Sequence, residues 1–546
     1  MADRSETENR ALPSRAPRIV WRVFLGALSA ILVVSLFVYG VFGIPLPGLN
    51  DQPPSHLPAA YRVARTQSTQ VIPDRMTLAD PQAYGDSQFQ ASSGDISASW
   101  QAAAFGSVYQ SSVADMISSD PSAVSSDPTG PGTLSKPLIG AAQADDSISL
   151  LSDSMGESPL VLSTRMTSDR EGTGAVASTV SWASKGDLKG MAVASAVDAR
   201  LAQSFLLPST QTGWTQQLVL VNPSSKATVA TMKAHGSHDG NALALSADSS
   251  VTVDAHSRTI VNVSATAPDQ EGVYLTVSSS VTPLSAFVRV VHMDGLDPQG
   301  NDFALPVDSA PANSTLSLPA LASASAATVR VYSDRSAHMT LQWLTKEGKK
   351  EGKKITVTGG QVQVLSFQDF PRGARGLAVT ADQDFSVSAE LKTSSGEQAD
   401  FALENGQKAG RTSALALPKD VSATLYAANS SDSETSMVLQ AFDDQGKLIS
   451  AKTYHLPAHS VTALSSASAP SSSSSSSKES SARAFCLVQG EGTASISKKP
   501  AAVTLSASLA APSLNKAGVK ALATVNGSSL EVVSERVSIR QQPVLR

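Results

Sequence analysis

One pattern recurs three times along the chain and limits what it can fold into. A short apolar segment ends in Leu-Pro, an alternating run breaks at a polar tetrad, and a second alternating run closes on glycine. In the first copy FLLP ends at Pro208 and QLVLVNPSSKATVATMKAHGSHDG spans 217–240, with its break at Asn222. The second copy has LSLP ending at Pro319 and ATVRVYSDRSAHMTLQWLTKEG, broken at Ser333. The third has LALP ending at Pro418 and ATLYAANSSDSETSMVLQAFDDQG, broken at Asn429. The three prolines follow at intervals of 111 and 99 residues, and the second runs reach Gly240, Gly348 and Gly446 in step. A tight turn comes next, Ala-His-Ser at 255–257 and again at 458–460, with Gly359-Gly360-Gln361 in the same place in the middle copy.

Alternation of period two is the signature of half-buried strands. Several such strands in about 100 residues match an immunoglobulin-like β-sandwich, in which two sheets give alternate side chains to a shared core. Propeller blades repeat at about 40–45 residues, too short a period for this chain. The expected fold class is therefore mostly β, with tandem immunoglobulin-like β-sandwiches at 205–312, 313–411 and 412–546. The serine-rich stretch 465–481 reads as a loop inside the third sandwich, because Arg375-Gly-Leu-Ala-Val and Arg483-Ala-Phe-Cys-Leu hold the same place in their copies. Loop insertion is inexpensive, since closure entropy grows by only about 0.6 kcal/mol per doubling of length.

Ahead of the repeats, residues 95–204 read as a partly irregular β region and 45–94 as a stalk. Val23 to Ile44 is almost wholly apolar and 22 residues long, about 33 Å as a helix and enough to span a bilayer core of roughly 30 Å. Arg15, Arg18 and Arg22 precede it. The positive-inside bias then makes residues 1–22 a cytoplasmic stub, 23–44 a single transmembrane anchor, and everything after it extracytoplasmic.

Charged residues make up 16% of the chain against roughly 25% in an ordinary soluble domain, so its surface should be neutral and hydroxyl-rich. With a net charge of −5, nucleic acid is not an expected partner. The single cysteine, Cys486, excludes an intramolecular disulfide and a cysteine-rich metal site.

The candidates for chemistry are weak. His235, His238 and Asp239 lie close in sequence, at an expected turn and with no fourth ligand. His256 and His459 recur at equivalent turns, which a turn preference explains better than catalysis. Ser475 with Lys478, and Ser495 with Lys498, satisfy S-x-x-K without the partner motifs of that chemistry. Asp443 with Asp444, and Glu397 with Asp400, are the conceivable carboxylate pairs of a glycan hydrolase. Trp182, Trp214 and Trp343 fall on expected strands, where an aromatic is ordinary. No catalytic, cofactor-binding or metal-binding residue is assigned, no cofactor is expected, and the chain reads as a non-enzyme.

Three stretches, SWASKGDLKGMAVASA (181–196), QLVLVNPSSKATV continuing to Asp239-Gly240, and SAFVRVVHMDGLDPQGNDF (285–303), resemble an actinobacterial family of single-pass extracytoplasmic proteins defined as a domain of unknown function. The resemblance covers most of the chain after about Pro159. It implies tandem β-sandwiches and no assigned catalytic residues. Genes of that family often lie near a large glycosyltransferase, which implies work on envelope glycans. The expectation is a membrane-anchored cell-envelope protein that binds cell-wall glycan or envelope proteins, with an accessory subunit of a membrane glycosyltransferase as the alternative.

Overall fold

The computed structural model describes residues 28–34, 59–64, 66–79, 91–116, 136–139, 147–167, 170–245, 249–395, 398–464, 482–489, 503–531 and 534–539. They fall in two compact units. One, Met1–Val63 with Ser534–Arg546, contains the helical residues 28–34 and nearly all of a two-stranded sheet of Ala59–Ala64 with Ser534–Ile539. Among the described residues no helix is long and apolar enough to cross a membrane. Most of the expected anchor, 23–44, lies outside them, as does the serine-rich stretch 465–481.

The second unit, Ala64–Val533, is mostly antiparallel β. Its strands repeat one plan four times. The plan is clearest in the module built from Ala202–Leu207, Trp214–Asn222, Thr228–His235, Ser250–Val253, Ser257–Asn262, Val273–Ser279, Ser285–Asp294 and Asp297–Ala304. Counting these as first to eighth, one sheet has the order first, sixth, third, fourth, and the other the order fifth, second, seventh, eighth. Both orders recur in the modules that open with Thr315–Leu318 and Thr412–Ala416. In the last of these, Ala484–Gln489 takes the sixth place between Thr412–Ala416 and Thr435–Phe442, so the chain on both sides of the serine-rich stretch belongs to one sheet.

The same orders also describe residues 67–195, from Gln67–Ile72 through Gly190–Ser195. A complete two-sheet module thus occupies the region read from sequence as partly irregular, and its first strand lies within the segment read as stalk. The reason is chemical. The chain here lacks the Leu-Pro and Asn-x-Ser punctuation, so the strands legible at 158–166, 174–183 and 190–197 could not be tied to the repeat.

In each module the two sheets enclose a common core. In the one beginning at Ala202, Phe205, Leu207, Met232 and Leu275 of one sheet meet Leu218, Leu220, Val288 and Val290 of the other. The outer faces are covered as well, each against the next module. Val71 and Val161 pack on Val219, Val221 and Phe287; Leu206 and Val307 on Tyr332 and Val362; Leu344 and Ala378 on Tyr426 and Ala428. The fourth seam joins the last module to the first, where Ala414, Ala416, Phe442 and Cys486 pack on Ala103, Phe105 and Val176. Backbone bonds repeat at three seams: Val362 N donates to Gly236 O (2.9 Å), Val461 N to Thr345 O (2.8 Å), and Ile148 N to Gly446 O (2.9 Å). Eight sheets therefore stand face to face in a closed ring. The length of the sequence repeat argues against one sheet per repeat, and two sheets per repeat satisfy that period.

The local turns explain the recurring punctuation. Asn222 Nδ2 donates to the carbonyls of Lys226, Val253 and Asp254, while its Oδ1 accepts from Ser224 N and Oγ. Asn429 repeats the set with Ser433, Leu456, Pro457 and Ser431. One buried amide thus closes two neighbouring turns. The backbone passes through positive φ at His256 (48°), His459 (51°) and Gly360 (78°), a conformation that glycine adopts without strain and that few other residues tolerate.

Candidate functional site

The eighth strands, Gly190–Ser195, Asp297–Ala304, Gln398–Asn405 and Ala523–Asn526, meet one another at the centre of the ring. Each is the edge strand of its sheet, so alternate N–H groups have no ladder partner, and burying them unpaired would be costly. Carboxylates meet that need. Asp302 accepts from Val193 N (3.0 Å) of the first module and Leu403 N (2.7 Å) of the third. Asp400 accepts from Leu522 N (3.0 Å), Phe401 N (3.0 Å) and Met191 N (3.3 Å), joining the fourth, third and first modules. Glu404 differs: it accepts from Ala320 N (3.1 Å) of its own module and from the Ser506 hydroxyl (3.4 Å) of the fourth.

The registers arrange these acids in levels. Ser181 faces Ala192, Val290 faces Asp302, Leu391 faces Ala402 and Leu509 faces Ala523, at equivalent places in the four hairpins. Two residues earlier stand Gly190, Gly300, Asp400 and Ala521; two residues later stand Ala194, Ala304, Glu404 and Val525. Each level holds one acid and three residues no larger than valine. The space is filled in consequence: a Cβ on Gly190 would lie 2.8 Å from Asp400 Oδ1, and one on Gly300 2.5 Å from it.

Burial dominates the electrostatics. It pushes the Asp302 carboxyl up to about 8 against the pull of its N–H donors, and Glu404 likewise up to about 8. Asp400 is raised well above the usual carboxylate range, first by burial and further by the nearby Asp302. Asp302, Asp400 and Glu404 are each at most 1% exposed. Groups so enclosed cannot reach a ligand, and what they do is hold four modules together.

Buried charge also marks the seam between the first two modules and the interior of the third. Asp74 takes Arg289 and Arg258, each at 2.5 Å, and burial still raises its pKa despite both cations. Arg330 pairs with Glu390 at 2.7 Å and Lys392 joins it at 2.8 Å; burial opposes ionisation there, but the two cations outweigh it and Glu390 is lowered.

The sequence candidates do not converge on a site. His235 Nδ1 bonds Gly360 O, His238 Nε2 bonds Asp269 O, and Asp239 accepts from Asn241 N, three separate directions. No group of three potential metal ligands occurs among the described residues. Asp443 accepts from Gln445 N and Lys447 N in its own turn, while Asp444 is exposed beside it. Glu397, Ser475, Lys478, Ser495 and Lys498 lie outside the described residues. Asp400, considered only as half of an acidic pair, stands instead among the axial acids. Trp214 stacks on His292 at 4.1 Å, and Trp343 is buried against Phe367 and Phe370. Trp182 packs against the core of the fourth module. Cys486 is buried, and desolvation pushes its thiol up to about 12. A recess of about 400 Å³ in the first module is lined by Trp100, Asp115, Asp153, Glu157 and Leu160, its tryptophan only 2% exposed.

Sequence reasoning missed two features. Asp302 and Glu404 stand among apolar strand residues in GNDFALP and ADFALEN, a pattern that signals burial. Lys346-Glu-Gly-Lys-Lys-Glu-Gly-Lys-Lys354 was a concentrated basic run in an otherwise acidic chain.

Fold and interior together define a closed ring of two-sheet β modules whose buried ionisable groups bind module to module. The chain belongs to the family of unknown function DUF5719, whose model matches residues 151–467, more than half of its length. Two of the stretches that carried the sequence resemblance, 181–196 and 285–303, are the seventh-to-eighth-strand hairpins that build the axis. No curated protein matches the chain.

Proposed function

We propose that the protein is a non-enzymatic, membrane-anchored component of the cell envelope. Its tandem modules are immunoglobulin-like β-sandwiches that present an outer surface to wall glycan or envelope protein partners. The observation that carries this reading is how the charged interior is used. Asp302, Asp400, Glu404 and Asp74 are all engaged in joining modules, and Glu390 is paired inside the third, whereas the long fourth strands Lys349–Val357 and Leu448–Leu456 are exposed at the far edges of their sheets. Exposed edges are what partner strands and extended polymers use.

Anchoring is supported by residues 28–34 within the apolar stretch 23–44. They are helical, and Leu28, Ile31, Leu32, Val33 and Val34 are each 52–65% exposed, an apolar surface suited to lipid. The test is retention of the full chain, in detergent, on isolated cell-wall material and on envelope membranes. Retention on either supports the reading. Failure on both, with the chain correctly folded, removes it.

A further inference from the structure

We infer that the fourth strand of the third module, Lys349–Val357, is a docking edge for a linear, phosphate-bearing polyanion. This names the chemistry of the partner and rests on the non-enzymatic binding reading above. Lys346, Lys349, Lys350, Lys353 and Lys354 are all exposed, with only Glu347 and Glu351 among them. Across the ladder stand Thr340, Gln342, Trp343 and Leu344, none of them acidic, and on its other side the strand has no neighbour. None of the five lysines forms an ion pair among the described residues. Lys350 Nζ instead donates to Arg372 O (2.7 Å), which brings a further exposed cation alongside, and Lys349 Nζ lies 3.4 Å from His459 Nε2.

Lysines on an edge strand also guard against strand-to-strand aggregation. That need does not account for this run. The fourth strand of the next module, Leu448–Leu456, has the same length and the same edge position, is just as exposed, and has one lysine, Lys452. The shorter counterpart Ser250–Val253 has none. Five lysines against two glutamates leave an excess of positive charge, and such a concentration, absent from the edges Leu448–Leu456 and Ser250–Val253, points to a ligand of opposite charge. A register shift between Thr340 and Gln342 sets Lys349 and Lys354 on one face, with Glu351 between them, and Lys350 on the other; at about 3.4 Å per residue Lys349 to Lys354 span at most about 17 Å. A flexible chain of anions can follow such a line. No exposed aromatic accompanies it for base stacking, Trp343 being 5% exposed, which favours a polymer without bases.

The probe is fluorescent linear inorganic polyphosphate, titrated against the full chain in neutral detergent between 50 and 200 mM salt. Combined replacement Lys349→Gln, Lys350→Gln, Lys353→Gln and Lys354→Gln should weaken binding at 50 mM salt at least tenfold. It should also flatten the plot of log affinity against log salt by about 3, at roughly 0.7–0.9 for each of the four phosphate contacts. The matching set of four Lys→Arg replacements should bind as the parent does, and Lys452→Gln should stay within twofold of it. Equal binding by the glutamine variant overturns the inference, and so does an equal loss in Lys452→Gln. Double-stranded DNA bound as tightly through the same lysines would also overturn it, making the edge a nucleic-acid site. If polyphosphate binds through these lysines while wall material and envelope membranes are not retained, the docking edge stands and the envelope reading fails.

Discussion

The side-chain space that Gly300 leaves empty is taken by Asp400: a Cβ at Gly300 would meet Asp400 Oδ1 at 2.5 Å and Phe401 N at 2.9 Å. Gly300 also has φ of +119°, a region open to glycine and strained for other residues. Gly300→Ala should therefore cost about 2–4 kcal/mol of unfolding free energy. Gly156→Ala, where no atom lies within 4 Å of the new methyl, should change stability by less than about 0.5 kcal/mol. Denaturant titration of both variants checks this, and an equal response from the two would refute the crowding at the axis.

Asp302 makes stability depend on pH in an unusual direction. Its folded pKa of about 8 lies above the ordinary aspartate value of 3.8, so the native state binds more protons than the unfolded chain between these limits. The contribution is fully present below about pH 4 and is lost as pH rises through about 8. Glu404 and Asp400 act in the same sense, whereas Glu390, lowered in the fold, contributes above its unfolded pKa and loses that contribution at acid pH. Unfolding free energy should fall between pH 5 and 8, and Asp302→Asn should reduce that slope. An unchanged slope in the variant would mean that Asp302 is already ionised, held by its N–H donors.

Removing the Asp74 carboxylate should weaken the seam between the first two modules more than removing an exposed ion pair. Asp74 is fully buried and faces Arg289, itself 3% exposed. Asp74→Asn leaves two cations without a counter-charge, at about 3–5 kcal/mol. Glu171→Gln, which breaks an exposed pair with Arg411, should cost under about 1 kcal/mol. Comparison of the two unfolding midpoints decides the matter.

Cys486 lies in the seam that closes the ring, packed among Ala414, Phe442 and Ala484. With its thiol pushed up to about 12 and no exposure to speak of, it should resist iodoacetamide under native conditions and react at once in denaturant. Rapid native alkylation, read by mass spectrometry, would show that the closing seam opens.

The amide of Asn429 satisfies five polar groups in two turns, so Asn429→Ala should cost about 2–4 kcal/mol, and Asn222→Ala a similar amount. Neither substitution touches a seam carboxylate, which makes thermal unfolding the appropriate measurement.

How much of this was legible depended on the distance over which each interaction acts. The turns of Asn222, Asn429, His256 and His459 were visible because a positive φ and an amide-closed turn are set by neighbours a few residues away. Strand alternation marked the faces of Thr228–His235 and Thr435–Phe442 for the same reason. The module at 67–195 was obscure although its strand Gly174–Ala183 was legible, because the chain there lacks the turn punctuation that aligns the other three copies. The axis was hidden more deeply. An aspartate in ADFALEN looks the same whether it faces water or two backbone N–H groups from other modules, and Asp400 was weighed only beside Glu397.

Local chemistry alone, then, determined strands, tight turns and a unit of about 100 residues, since each of these is satisfied within one stretch of chain. Tertiary structure decided that four modules close on themselves and that Asp302, Asp400 and Glu404 end in the centre. Those outcomes depend on edge strands 109 and 122 residues apart, where N–H groups of Val193 and Leu522 are met by Asp302 and Asp400 of other modules.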